Sequence, residues 1–246
     1  VVNADGTFDY TPNAGFSGTD EFRFRVFDGA EYSYEAVVTV GVDNQAPTAL
    51  ASGITTKHDA AVVVALSTID GDGDSVTYEL VTAPQHGTLT YDNLMNDGSN
   101  GQPVTFSGNV SWQPDTGFAG DDSFDFKATD GVTFSNTATV SLKATNLTPH
   151  ATSGVQTTDA GQSLVVAEPG LLANAFDGDG DNLTLEIVTS PANGTATLTL
   201  DAGDPTGGYT YTPNAGFAGQ DSFTWRVHDG VVWSAAATET ITVGNT

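Results

Sequence analysis

Apolar and polar residues alternate along most of the chain, the period-two signature of strands with one buried face. In Phe22-Arg-Phe24-Arg-Val26 the apolar positions face one way and the arginines the other. Val62, Val64 and Leu66 keep that spacing, as do Val76, Tyr78 and Leu80. Capped helical stripes are missing, and Gly, Pro and Asp punctuate the runs, which predicts short strands joined by tight turns. No run of about 18 apolar residues is present, so no helix is expected to insert into a membrane.

The chain repeats itself. Tyr10-Thr-Pro-Asn-Ala-Gly-Phe16, Trp112-Gln-Pro-Asp-Thr-Gly-Phe118 and Tyr211-Thr-Pro-Asn-Ala-Gly-Phe217 lie at roughly hundred-residue intervals, a domain-sized period. An alternating strand follows each (Phe22-x-Phe24, Phe124-x-Phe126, Phe223-x-Trp225), then an Asp-Gly turn at Asp28, Asp130 and Asp229. A second segment occurs twice, Asp70-Gly-Asp72-Gly-Asp74 and Asp177-Gly-Asp179-Gly-Asp181. These spacings divide the 246 residues into the second half of one repeat (1–43) and two complete repeats (44–145 and 146–246). About seven short strands per complete repeat predict an all-β fold: tandem Ig-like, Greek-key β-sandwiches in an extended array. Residues 1–43 supply only the last three strands and would leave an open edge. The missing strands are expected either upstream or from another chain.

Composition narrows the function. Acidic residues number 31 against 6 basic ones, a formal charge of −25, and 24 of the acids are Asp. Such a surface repels nucleic acid and anionic membranes, so neither is expected as a partner. Asp suits turns, where its short side chain bonds nearby amides, and it is a common calcium ligand in loops. Cysteine is absent, so stability must come from cores or bound ions rather than disulfides.

In an Ig-like sandwich the strand alternation places the Asp70 loop and the Asp130 turn at the end where the preceding linker arrives. Asp70, Asp72 and Asp74 are therefore expected near Asp130, Asp43 and Asn44. By the same reasoning Asp177, Asp179 and Asp181 are expected near Asp229 and Asn146. Carboxylates so crowded repel one another, and a hard cation with oxygen ligands, calcium rather than zinc or copper, removes the repulsion. These loops are not EF-hands: Ser75 and Asn182 stand where the turn glycine would be, and Val81 and Val188 where the bidentate glutamate would be. Two readings stand: calcium at the junctions, or Asp-Gly turns whose acids bond only local amides. Asp20, Asp122 and Asp221, which recur before the Phe-x-aromatic strand, read as backbone-bonding turn acids.

Catalysis finds little support. The four histidines, His58, His86, His150 and His228, fall at inequivalent places in the repeats, and no nucleophile elbow, metalloprotease or phosphate-loop motif is present. A non-enzymatic role is expected, with Trp233 the best candidate for a binding aromatic should one repeat grip a glycan or protein.

Pro169-Gly-Leu-Leu-Ala-Asn174, the Asp177 loop, Tyr211-Thr-Pro-x-x-Gly-Phe217-x-Gly-x-Asp221-Ser-Phe and the Asp229-Gly turn together resemble the bacterial cadherin-like and Ig-like tandem repeats of large secreted adhesins, including those exported by type I (RTX-type) secretion. Val40-Gly-Val-Asp43-Asn44-Gln-Ala-Pro47 looks like a cadherin interdomain linker, and the Asp70 loop falls where cadherins carry a calcium-binding Asp-x-Asp. The resemblance implies cell-surface stalk repeats outside a bacterium. Their partners would be neighbouring repeats of the parent chain, with glycan or cell-surface protein engaged through other domains. The alternatives are an adhesion module binding glycan, host protein or itself, and a filament subunit. Neither linker keeps the Asn-Asp pair of a full cadherin junction; at the second, Ala144-Thr-Asn146-Leu-Thr-Pro149 retains only the asparagine. One ion per junction, or none, is implied.

Overall fold

A computed structural model describes residues 3, 5–13 and 16–244. The chain divides into two compact units, residues 1–115 with 120–143, and residues 116–119 with 144–246.

In the first unit, β1 (Gly18–Phe24) and β2 (Ala36–Val42) form an antiparallel pair, Phe22 opposite Val38 and Phe24 opposite Ala36. The second repeat follows. It opens with β3 (Thr48–Leu50), β4 (Ser52–Lys57) and β5 (Val62–Val64). Then come β6 (Ser67–Ile69), β7 (Thr77–Thr82), β8 (Thr88–Tyr91) and β9 (Leu94–Asn96). The repeat ends with β10 (Thr105–Phe106), β11 (Val110–Gln113), β12 (Gly120–Thr129) and β13 (Ala138–Thr145). One sheet runs β4-β13-β12-β7-β10-β9 and another β5-β11-β8, with β3-β6 as a short pair. The alternation read from the sequence sets the burial. In β13 Ala138, Val140, Leu142 and Ala144 are buried while Thr139, Ser141 and Lys143 are exposed. Trp112, Phe124 and Phe126 have no exposed surface. The β9–β10 hairpin lies in a segment that the third repeat lacks. It adds Phe106 to the core, its ring 4.6 Å from that of Tyr91 and 5.6 Å from that of Tyr78.

The second unit holds β14 (His150–Ala151), β15 (Gly154–Asp159), β16 (Leu164–Val166), a 3-10 helix (Gly170–Asn174) and β17 (Ala175–Phe176). It continues with β18 (Thr184–Thr189), β19 (Gly194–Asp201), β20 (Asp204–Pro213), β21 (Gly219–His228) and β22 (Ala237–Gly244). Its sheets are β15-β22-β21-β18 and β16-β20-β19. All pairings are antiparallel except β15 with β22, which runs parallel from Gly154↔Glu239 to Asp159↔Gly244. A two-residue turn joins β19 to β20, with Ala202 and Gly203 both at positive φ (52° and 104°), the geometry that matches strand twist in a tight hairpin. The 3-10 helix adds Leu171 to a core of Leu185, Tyr209, Tyr211, Phe223, Trp225, Val227, Ile241 and Val243. Both units therefore have the two-sheet architecture expected from the strand count.

Candidate functional site

The Asp70 loop leaves β6 at Ile69 and curls back through Gly73, whose φ is 83°. Asp70 Oδ1 accepts the Gly73 and Asp74 backbone N–H groups at 2.9 and 3.0 Å. This folds three side chains inward, and Asp70, Asp72 and Asp74 each offer a carboxylate oxygen within 4.8 Å of the others. Asp70 Oδ2 is buried and has no hydrogen-bond partner. The Gln45 backbone N–H donates to Asp72 Oδ2 at 3.0 Å.

The third repeat folds its loop similarly. Asp177 Oδ1 accepts the N–H groups of Asp179 (2.7 Å) and Asp181 (3.3 Å), and its Oδ2 is buried with no hydrogen-bond partner. Asp179 accepts the Leu147 N–H, as Asp72 accepts that of Gln45.

The linker asparagines meet the Asp-Gly turns. Asn44 Nδ2 donates to Asp130 Oδ2 (2.9 Å) and to Thr133 Oγ1 (3.0 Å), and Asn146 Nδ2 donates to Asp229 Oδ2 (2.9 Å). The other oxygen of each acid is also engaged. Asp130 Oδ1 accepts Val132 and Thr133 N–H, both at 2.7 Å, and Asp229 Oδ1 accepts Val231 and Val232 N–H, both at 2.7 Å. The Thr133 N–H is the largest cause of Asp130 falling to about 2, with Asn44 and Val132 helping and desolvation opposing. For Asp229 desolvation is the largest single influence and acts upward; the donors on Asn146, Val232 and Val231 outweigh it, and the carboxyl ends below its usual value. Asp43 completes the set: with Thr11, Pro12, Asn13, Phe16 and Val42 it lines a groove of about 210 Å³ that Asp72 and Asp74 also border.

The structure thus brings Asp43 to Asp72 and Asp74, Asn44 to Asp130, and Asn146 to Asp229. Asp130 and Asp229 are already saturated with N–H donors, whereas Asp70 and Asp177 each keep a buried lone acceptor. So does Asn146, through Oδ1. Buried acceptors without donors are costly and rare, and an oxygen-only set of this kind fits a hard cation. The backbone donors on Gln45 and Leu147 were not legible in the sequence, because side-chain identity does not encode them.

The turn acids Asp122 and Asp221 bond backbone, as their recurrence suggested. Asp122 accepts Gln85 and His86 N–H at 3.1 and 2.7 Å, and Asp221 accepts Ala192 and Asn193 N–H at 3.0 and 2.9 Å. Asp221 also takes the Tyr211 hydroxyl at 2.9 Å, as Asp20 takes that of Tyr10 at 3.0 Å. On the outer face, a cation covers an aromatic ring in every repeat: Arg25 over Tyr32 (4.8 Å), Lys127 over Phe134 (4.1 Å) and Arg226 over Trp233 (4.4 Å). Trp233 is thus one instance of a shared hairpin device. Lys127 and Arg226 also pair across strands with Glu79 (2.7 Å) and Glu186 (2.6 Å).

One buried acid escaped the sequence reading. Glu239 is 1% exposed, and its Oε1 accepts the Tyr209 hydroxyl at 3.0 Å while Oε2 has no hydrogen-bond partner. Burial pushes its pKa above the ordinary glutamate value, against the Tyr209 and Gln156 hydrogen bonds, which act downward. Its parity with Ile241 and Val243 on β22 was the available signal.

Comparisons with known proteins bear on this geometry. Residues 145–244 match the family model of the cadherin-like domain. Extracellular matrix protein 3 of Lytechinus variegatus is 27% identical over 192 residues, 71% of this chain and 6% of that protein, so this chain spans a small part of that relative. Among solved structures, the titin domains z1z2 in complex with telethonin give a TM-score of 0.40 at 12% identity, over 83% of this chain and 100% of that one. The endo-fucoidan hydrolase MfFcnA4 from glycoside hydrolase family 107 gives 0.31 at 18% identity, over 96% and 35%. Protocadherin gamma B2 extracellular cadherin domains 3–6 give 0.31 at 14%, over 87% and 57%. Residues 1–41 and 44–143, more than half of the sequence, match the family model of the bacterial Ig domain, and the chain belongs to that family.

Proposed function

We propose that the chain is a run of non-catalytic, extracellular structural repeats that extends a bacterial surface adhesin, with calcium held beside the linkers. The observation that carries the calcium reading is the buried, donorless Oδ2 of Asp70 amid the Asp72 and Asp74 carboxylates within 4.8 Å; Asp177 repeats the donorless Oδ2. At that spacing each carboxylate pair repels by about 3 kcal/mol at an effective dielectric near 20. A bound calcium supplies the positive charge that cancels this repulsion. Asp70, Asp72 and Asp74 with Asp43 would hold it in the second repeat, and Asp177, Asp179 and Asp181 with Asn146 in the third. Asp130 and Asp229 act instead as clamps that fix the linker asparagines. An extracellular setting is supported by the Ig and cadherin-like family matches and by the matrix-protein relative. The partners proposed are neighbouring repeats of the parent protein, with glycan or protein ligands met by other domains.

Titration with calcium, read by calorimetry and thermal melting, tests this. Saturable binding in the roughly 10⁻⁴–10⁻³ M range of extracellular sites is expected, with a raised melting temperature that a chelator reverses. Asp70→Asn and Asp177→Asn should each weaken binding at least tenfold. No binding at 10 mM calcium, or binding untouched by both variants, would sink the calcium reading and leave an ion-independent extender.

A further inference from the structure

Glu239 is an acid at a position shaped for a hydrocarbon. It stands on β22 between Ala237 and Ile241, both in the core, and its counterpart in the second repeat is Val140. The Tyr209 hydroxyl engages Oε1, whereas Oε2 is buried with no hydrogen-bond partner.

The strand lying over that bare oxygen is β15. Gly154, its first residue, stands opposite Glu239 in the ladder, and a Cβ there would collide with Oε2. The Gln156 side chain reaches the same carboxyl. Among the described residues β15 is the outermost strand of its sheet, joined to it through the parallel ladder with β22. Parallel pairing is slightly weaker per residue than antiparallel pairing, so this strand is the easiest part of the sheet to lift.

No cation offsets a charge at Glu239. The titratable groups on the elements packed around it are Asp159 of β15, Asp204, Tyr209 and Tyr211 of β20, and Asp221, Arg226 and His228 of β21. Of these Tyr209 bonds the carboxyl. Tyr211 and Asp221 bond each other, Arg226 pairs with Glu186, and His228 lies against Trp233. Asp159 sits at the far end of the ladder opposite Gly244, and Asp204 beside the β19–β20 turn opposite Asp201.

A neutral carboxyl tolerates this site, but a carboxylate stripped of water and unpaired does not. Water reaches Oε2 with least rearrangement where the outer strand covers it. We propose that Glu239 is a proton-dependent latch: with a proton on Oε2 it lets the start of β15 seat on β22, and once that proton passes to water the carboxylate drives Gly154 to Gln156 off the sheet. Alkaline conditions then bare the edge of β22 and open the core beside it. The second repeat carries Val140 beneath β4 and has no such latch.

Hydrogen exchange of the full chain, followed by mass spectrometry from acid to alkaline pH, tests this. Taking β15 relative to β4 removes the intrinsic pH dependence of exchange. The seated strand holds the proton more tightly than the lifted one, so protection is complete below the ordinary glutamate range. Above that range it should fall by about tenfold per pH unit, then level off once the seated acid has ionised. Glu239→Gln keeps the shape without the titrating proton and should flatten the profile. Infrared spectra of the unsubstituted chain need no variant: the carbonyl band of a protonated carboxylic acid should outlast ionisation of the exposed carboxylates and vanish together with the protection of β15. The proposal is overturned by a β15 profile parallel to that of β4, by a slope that persists in Glu239→Gln, or by loss of the acid band along with the exposed carboxylates. Equal loss of protection from β15 through β22 overturns it too, because the whole repeat would then be opening.

Discussion

Where the second repeat buries Val110 and Val140, the third buries Tyr209 and Glu239 at the equivalent positions, all with at most 1% of their surface exposed. The second completes its core with Phe106 from an inserted hairpin, the third with Leu171 from a 3-10 helix. Each repeat keeps its strand partners, its turn acids and the cation over its hairpin aromatic. The architecture is therefore set by turns and alternation, and the interior tolerates either an apolar pair or a hydrogen-bonded polar one. Tolerance has a local condition. A Cβ on Gly154 would collide with the Glu239 carboxylate, whereas one on Gly53, the matching residue, would meet nothing closer than Ser141 O at 3.5 Å.

Transplanting the acid should break the symmetry most. Val140→Glu places a carboxyl in the second repeat without the tyrosine that receives it in the third, at a cost of about 4 kcal/mol near pH 7. Denaturant unfolding followed at Trp112 should shift to a much lower midpoint, and the deficit should shrink on acidification as the new carboxyl protonates. An intact midpoint would mean that the two interiors are interchangeable.

The glycine pair should move in opposite directions. Gly154→Ala forces Glu239 off its tyrosine and is expected to destabilise the third repeat by about 1–3 kcal/mol. Gly53→Ala should be neutral or stabilise the second by about 0.5 kcal/mol, through a less flexible unfolded chain. Paired melting curves of the two variants decide the matter, and equal shifts would refute the close-packing account.

The smallest effect concerns pH. Because the folded pKa of Glu239 lies above its unfolded value, the folded state binds the proton more tightly. The group's favourable contribution is complete below the unfolded pKa and is lost as pH rises through the folded one. Glu239→Gln should remove that slope, so that stability no longer falls as pH rises above the ordinary glutamate range. A second-repeat substitution such as Val140→Ala should leave it in place.

Much of this organisation was legible from sequence because its causes are local. Alternation in Ala138–Thr145 and the Tyr-Thr-Pro…Gly-Phe repeat report strand faces and turns directly. The groupings of Asp43, Asn44, Asp130, Asn146 and Asp229 followed from which ends of a sandwich share loops. What stayed hidden depends on contacts made at a distance. Nothing in Asp130 or Asp229 reveals that three or more donors converge on each, which distinguishes a clamp from an open ligand. The β9–β10 hairpin sits in a Gly/Asn/Asp-rich stretch that reads as loop, and it holds strand form through pairing with β7.

The parallel run of β15 beside β22 carries a consequence for load. Tension applied to the two ends of the third repeat pulls β15 backward and β22 forward along their shared ladder, so its hydrogen bonds from Gly154 to Asp159 bear force together in shear instead of parting one after another. A repeat wired in this way resists pulling far better than its equilibrium stability would suggest, a property that single-molecule stretching of the chain would register as a high rupture force for this repeat.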